Sequence, residues 1–308
     1  MPTEVPAAPR LRFAPEDIVN AVRHLPSAPK VLPRLKRLLL DGNSALERIV
    51  GLIRLDPGLA ARVLRVSNST YFYTGARCAT VEEAVARVGY DEIYALVAHA
   101  VAAQVLNRPV AVYRIEGDEM WARSVCCAIA AEALAARVGV DPNAAYTLGL
   151  LHGIGMIVLD EWALLSGHDV KLAIYPFPAE ATRSERTQLG FTHADVGACL
   201  LKTWEFPEEI TSPIRHQYSP TTAPSWQALA ALLVAARWLR SAVLSSIPGT
   251  LPPLPSATQI RPAGIAVSML TDSLSPVARE FAAATTMLEE VVETTVDREA
   301  FPSHRWRS

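Results

Sequence analysis

A chain of 308 residues is long enough for one large domain or two modest ones, and it needs no disulfide or metal staple to bury a core. Hydrophobic residues make up 50% of it and charged residues only 19%, which excludes a disordered chain. The formal net charge of -2 argues against a protein whose main task is coating DNA or RNA, so no nucleic-acid partner is expected.

Residues 1–16 hold four prolines and no apolar run, so they read as a flexible tail without a secretory signal. Beyond them, helical periodicity dominates. Leu46, Ile49, Val50 and Ile53 share one helix face, as do Leu59, Ala60, Val63 and Leu64, and later Val277, Phe281, Ala284, Leu288 and Val291. Ser44 with Glu47 and Thr80 with Glu83 are capping-box patterns. Asp56-Pro57, Asp141-Pro142 and Ser275-Pro276 each set a capping side chain before a proline, whose missing N–H costs nothing at a first helical position.

The segment 124–136 reads as an apolar helix, with Cys126 and Cys127 as inert core thiols. With Cys78 and Cys199 they form no Cys-x-x-Cys pattern, so zinc ribbons and disulfide frameworks are excluded and reduced cytosolic thiols are expected. The uncharged run 142–159 approaches bilayer length, but it contains Asn143, His152, Gly149, Gly153 and Gly155. It reads as one buried helix of a soluble protein, in which Gly149 and Gly153 let a neighbouring helix approach closely. From 246 to 264, Pro248, Pro252, Pro253, Pro255 and Pro262 interrupt any helix, giving a long surface connection to a last helix. Strand alternation is nearly absent and no fixed repeat occurs. About a dozen helices in a compact all-α fold are expected.

No phosphate-binding glycine loop, dinucleotide fingerprint or nucleophile elbow is present. The informative segment is Tyr146 to His152-Gly153 and on to Leu159, because a histidine inside so apolar a helix invites a ligand. With Trp121-Ala122-Arg123-Ser124 before it, this segment resembles the HD superfamily of metal-dependent phosphohydrolases, in which a histidine on one helix and a His-Asp pair on a later one hold divalent metal. Here those places fall on Arg123 and on His152-Gly153. A cation replaces an imidazole and a glycine replaces the carboxylate, while a hard ion that activates water needs anionic oxygen. His152, His193 and His216 lie far apart in sequence and hold Zn²⁺ only if the fold converges them. Hydrogen-bonded fold histidines are the expectation, with no metal and no cofactor.

Six further stretches make the resemblance specific. They are Leu25-Pro26-Ser27-Ala28-Pro29, the run 44–53, the run from Asp56 to Ser69, Val81 to Ala84 with Val88-Gly89, Gly190 to Pro207, and Ile214-Arg215-His216-Gln217. In this order they look like the signature of the HDOD family, which often has a His-His pair where His216-Gln217 stands. The resemblance implies an HD-like all-α domain over 17–220, generally without the catalytic metal set, followed by a helical extension, 221–308, packed on it. It also implies a cytoplasmic bacterial signal-transduction protein without enzymatic activity, acting through other signalling proteins of cyclic-di-GMP or two-component pathways. No membrane partner is implied. Two alternatives stay open: a sensor that binds a nucleotide or phosphometabolite in the vestigial cleft, and a weak metal-dependent phosphohydrolase. The cleft residues would be Arg123, His152, Gly153, His193, His216 and Gln217, with none catalytic.

Several of these residues also have structural readings. Asn68 suits a left-handed helix C-cap and Asp56 an N-cap. Trp204 ends an apolar stripe with Val196, Leu200 and Leu201, and reads as core. Lys30, Arg34 and Arg37 fall on one helix face, read as solvated.

Overall fold

The computed structural model describes residues 13–22, 46–69, 72, 75–89, 93, 109–168, 170–173, 182–245 and 251–296. The fold is all-α, with no strand among these residues beyond an isolated bridge between Val110 and Ile115. The 25–29 motif, Ser44 and the Lys30, Arg34, Arg37 face lie outside the described residues.

Among the described residues the first helices are α1 (Pro15–Ala21), α2 (Leu46–Arg54), α3 (Pro57–Ser67) and α4 (Val81–Val88). α1 begins at Pro15, two residues inside the segment expected as a tail. Asp56 caps α3 by accepting from Leu59 N at 2.9 Å, and Thr80 and Glu83 form the capping box of α4. The expected apolar face of α3 is fully buried at Leu59, Ala60, Val63 and Leu64. Asn68 ends α3 as its C-cap, as expected, but not in the expected conformation. Its backbone is right-handed rather than left-handed, and its buried side chain clamps the following loop, donating to Cys78 O at 3.1 Å and accepting from Cys78 N at 2.7 Å.

The centre of the molecule is α5 (Gly117–Val138), against which α6 (Pro142–Leu151) packs most extensively. The crossing is close because Gly149 has no side chain: a Cβ there would lie 2.5 Å from Ala128 Cα and 2.6 Å from Cys127 O. Trp121 Nε1 donates to Leu55 O at 2.8 Å, and Arg54 pairs with both Glu82 and Glu132, so these contacts tie the first helices to α5.

The single helix expected over 142–159 is two. α6 ends at Leu151, His152 and Gly153 make a turn, and α7 (Ile154–Ser166) follows. The stretch is long and apolar enough to cross a membrane, yet 78% of its most apolar window is buried in the fold, so its composition serves the core.

α8 (Arg183–Gln188), α9 (His193–Thr203) and α10 (Glu208–Arg215) come next, and α9 crosses α7 with backbones in contact at Gly155 and Gly197. Close approach thus falls to Gly149 and Gly155. At Gly153 a Cβ would meet only the end of the Met120 side chain, at 2.7 Å. Trp204, expected in the core, is half-buried at the end of α9 beneath the Arg65 guanidinium.

α11 (Gln227–Val243) packs on α5, α10 and α6. In the proline-rich connection a capping box between Ser256 and Gln259 starts a short helix, α12 (Ala257–Ile260), where no helix is expected from sequence. A 3-10 turn at Arg261–Ala263 accommodates Pro262 in its first positions. α13 (Val267–Val296) then packs on α5 and α11. It starts well before the expected Ser275-Pro276 cap and runs through Pro276, which forgoes one helical hydrogen bond.

Candidate functional site

The fold gathers His152, His193 and Gln217 into one polar network inside the apolar core. His152 sits in the α6–α7 turn and is buried at 4% exposure. Its Nδ1 lies 2.6 Å from Gly149 O, and a carbonyl can only accept, so Nδ1 carries the proton. Nε2 then has a lone pair to offer, which is the pair a metal would use. Arg240 takes it: its Nη1 donates to His152 Nε2 at 2.8 Å.

Burial holds the His152 ring well below the usual histidine range, and the charges of Arg240 and Arg237 push it in the same direction. A neutral ring is therefore built in. Below the ordinary histidine pKa of about 6.5 the unfolded chain binds a proton here that the folded chain refuses. Stability supplied by His152 is thus complete above that pH and declines as the pH falls, at a limiting slope of about 1.4 kcal/mol per unit. Urea midpoints measured from pH 7 to pH 5 are expected to fall less steeply in His152→Gln than in the wild type. Equal slopes would contradict a neutral, buried His152.

His193 opens α9 and is equally withdrawn, at 1% exposure. Its ring Nδ1 donates to Glu185 Oε1 at 2.7 Å and its backbone N–H to Glu185 Oε2 at 2.9 Å. Glu185, fully buried on α8, also accepts from Tyr113 OH at 2.6 Å. On the other side of the ring, His193 Nε2 lies 3.1 Å from Tyr218 OH. The Arg237 guanidinium stacks 3.8 Å from the centre of the Tyr218 ring, and its Nη1 donates to Gln217 O at 2.9 Å. Gln217 Nε2 returns to His152 O at 2.9 Å. Glu185, His193, Tyr218, Arg237, Gln217, His152 and Arg240 thus form one connected chain.

The other sequence-derived candidates behave differently. Arg123 is engaged on its own helix, with Nε and Nη2 both donating to Glu119 Oε1, at 3.0 and 2.7 Å. Its charge still reaches Arg240 and Tyr218. His216 is half-buried outside the network, with Nδ1 against Thr222 Oγ1 at 3.2 Å. The three histidines do not converge. Gly153 contributes no ligand atom.

This donor set does not fit a hard divalent ion. Both ring nitrogens of His152 and of His193 are taken, the lone pair of His152 faces a guanidinium, and no carboxylate follows it in sequence. Among the described residues no cluster of three His, Cys, Asp or Glu side chains could hold a metal. The thiols offer no substitute. Burial pushes Cys126 up to about 12 and Cys127 up to about 11, as expected of core residues.

Tyr113, Glu185, Tyr218, Arg237 and Arg240 are site residues that sequence reasoning missed. One signal was available: Arg237 and Arg240 are the two charged residues of α11 and stand three apart, on one face of an otherwise apolar helix.

Residues 25–220 match the model of the HDOD domain. The chain belongs to the HDOD family. Its fold is that of solved bacterial structures: the response regulator MmoQ of Methylococcus capsulatus str. Bath, at 20% identity and TM-score 0.65, covers 82% of this chain and 99% of that one. A virulence factor of Campylobacter jejuni subsp. jejuni, at 17% identity and TM-score 0.62, covers 87% and 100%. A Treponema pallidum (strain Nichols) relative, named as an uncharacterized protein, is 27% identical over 212 residues, 67% of this chain. The chain spans 40% of the length of that relative. The family match stops at residue 220, so the HDOD fold of this chain receives Arg237 and Arg240 from a helix beyond it.

Proposed function

We propose that this HDOD protein is a non-enzymatic, cytoplasmic signal-transduction protein. Its HD-like core serves as a scaffold for contacts with other signalling proteins, of which cyclic-di-GMP and two-component components are the expected kinds. The observation that carries the reading is the Arg240 to His152 hydrogen bond, which directs a cation at the atom that would have to ligate metal. Hydrolysis of a phosphodiester needs a metal-bound hydroxide and neutralised phosphoryl oxygens, and the donors of the network do not fit an ion for either task. The structurally similar Methylococcus protein, a response regulator, supports the signalling half, and the free cysteines support a reducing compartment.

The test is turnover of cyclic dinucleotides and of simple phosphomonoesters, with Mn²⁺, Mg²⁺ or Zn²⁺, by wild type and His152→Ala purified in parallel. No rate above buffer is expected in either. Hydrolysis present in the wild type and absent from a folded His152→Ala protein would overturn the reading.

A second reading, in which the cleft senses a phosphorylated small molecule, draws on a different observation. Its cation is not the Arg123 expected from sequence, which Glu119 occupies, but the arginine pair on α11.

A further inference from the structure

A guanidinium withdrawn from water is costly unless a carboxylate or a ligand neutralises it. Arg237 and Arg240 lie one turn apart on the same face of α11, both only partly exposed. Among the described residues, neither Arg237 nor Arg240 has a carboxylate within 4.0 Å. The nearby acid of the network, Glu185, is spent on Tyr113 and His193. Burial first, then the charges of Arg237 and Arg123, pull Arg240 down to about 10. It stays protonated at neutral pH in a field of unbalanced positive charge.

The hydrogen-bond count agrees. Of the five N–H donors on a guanidinium, Arg237 gives one to Gln217 O, while Arg240 gives one to His152 Nε2 and one to Ser241 Oγ. Arg237 Nε is buried with no acceptor at all. Ser124 Oγ, also buried and unpaired, lies on α5 one turn before Cys127, whose thiol is within electrostatic reach of Arg240. Gln217 Oε1 is buried without a donor as well, so the unmet groups are one N–H, one amide oxygen and a hydroxyl that can serve as either, and the uncommitted N–H groups of the two guanidiniums are what an oxyanion would meet. The plane of Arg237 is fixed by its stack on Tyr218, and Arg240 is fixed by His152, so two forks are held in advance of any ligand.

We propose that Arg237 and Arg240 form a binding site for a phosphoryl oxyanion, whose dianion matches the two guanidinium charges and whose oxygens accept the uncommitted N–H groups. The site adjoins His152, the position to which the HD resemblance assigns a metal ligand, and the proposal rests on the sensor reading above. The arginine pair takes over the charge role of the ion toward phosphate without any means of activating water. Binding, not hydrolysis, is the outcome. Tyr218 and His193 connect the bound anion to Glu185 on α8, so occupancy is communicated to the α8–α9 segment.

The experiment uses the full chain, treated with chelator, and inorganic phosphate as probe, followed by calorimetry and by thermal melting at ionic strength matched with chloride. Phosphate is expected to bind saturably and to raise Tm by mass action. Arg237→Gln and Arg240→Gln are each expected to weaken it by about tenfold or more, the worth of a charge-assisted hydrogen bond. Should a Gln variant fail to fold, Arg237→Lys and Arg240→Lys keep the charge and lose the fork, and weakened binding is still expected. Adenosine monophosphate in a second arm separates the sources: tighter binding than phosphate identifies an organic ester, equal binding the bare oxyanion. Phosphate indistinguishable from chloride, or affinity unchanged in folded arginine variants, would overturn the site and leave the signalling reading intact. Phosphate that binds only after Mn²⁺ or Zn²⁺ is added would overturn both.

Discussion

Gly155→Ala is expected to destabilise the protein by about 3 kcal/mol or more, although alanine in place of a helical glycine ordinarily gains about 0.5–1 kcal/mol. The reversal comes from position. A Cβ on Gly155 would run into His193 O and lie 2.8 Å from His193 C and 2.7 Å from Gly197 N, all of them backbone atoms of α9. Backbone cannot step aside as a side-chain end can, so α7 and α9 must separate and lose buried contacts along their crossing. Overpacking of an ordinary core site costs about 1–3 kcal/mol, and a clash with rigid backbone belongs at or above the top of that range. Gly51, inside α2, is the control. Nothing lies within 4 Å of a Cβ there, so Gly51→Ala should match or exceed wild-type stability. A urea midpoint for Gly155→Ala at or above wild type would show that the helices do not cross so closely.

Glu185→Ala is expected to cost about 3–5 kcal/mol, the range for removing one member of a buried charged hydrogen-bond set. Three donors lose their acceptor at once: Tyr113 OH, His193 N and His193 Nδ1. Each is left in a core that water does not enter, and an unmet buried donor carries a penalty of about 1–3 kcal/mol. Glu185→Gln keeps one oxygen and should fall between wild type and Ala. Burial first, and the Glu185 charge second, hold the Tyr113 hydroxyl well above the usual tyrosine range, so its ultraviolet titration should move toward ordinary values in a folded Glu185→Gln protein. Stability of Glu185→Ala equal to wild type would mean that this carboxylate is solvated.

These two residues also mark how far the sequence could be read. Helices and their starts were legible because their causes are local: Asp56, Thr80 and Asp141 cap from within a few residues of the amides they satisfy. His152 stood out because an imidazole in so apolar a run is conspicuous. The missing carboxylate at Gly153 and the cation at Arg123 were equally plain, since a residue type at a motif position requires no three-dimensional knowledge. Glu185 was not legible. Its neighbours, Arg183 to Gln188, are polar, and only the tertiary fold seals the carboxylate beneath Tyr113 and His193. Arg240 was hidden for another reason, because it is distant from His152 in sequence and lies beyond the segment that carries the family signature. Ser275-Pro276 shows the limit of local rules, since it suits a helix start and lies inside α13, while Asn68 does end α3 but with a right-handed backbone.

The network is accordingly built around a neutral histidine facing a guanidinium, and the central claim concerns metal. The most direct measurement is elemental analysis of the 308-residue chain, as isolated and again after incubation with excess Mn²⁺, Fe²⁺ or Zn²⁺ followed by removal of free metal. The account expects far less than one ion per chain in every case. Near-unit occupancy by any of them, lost in a folded His152→Ala protein, would contradict it, because Nε2 of His152 cannot bind an ion while accepting a hydrogen bond from Arg240.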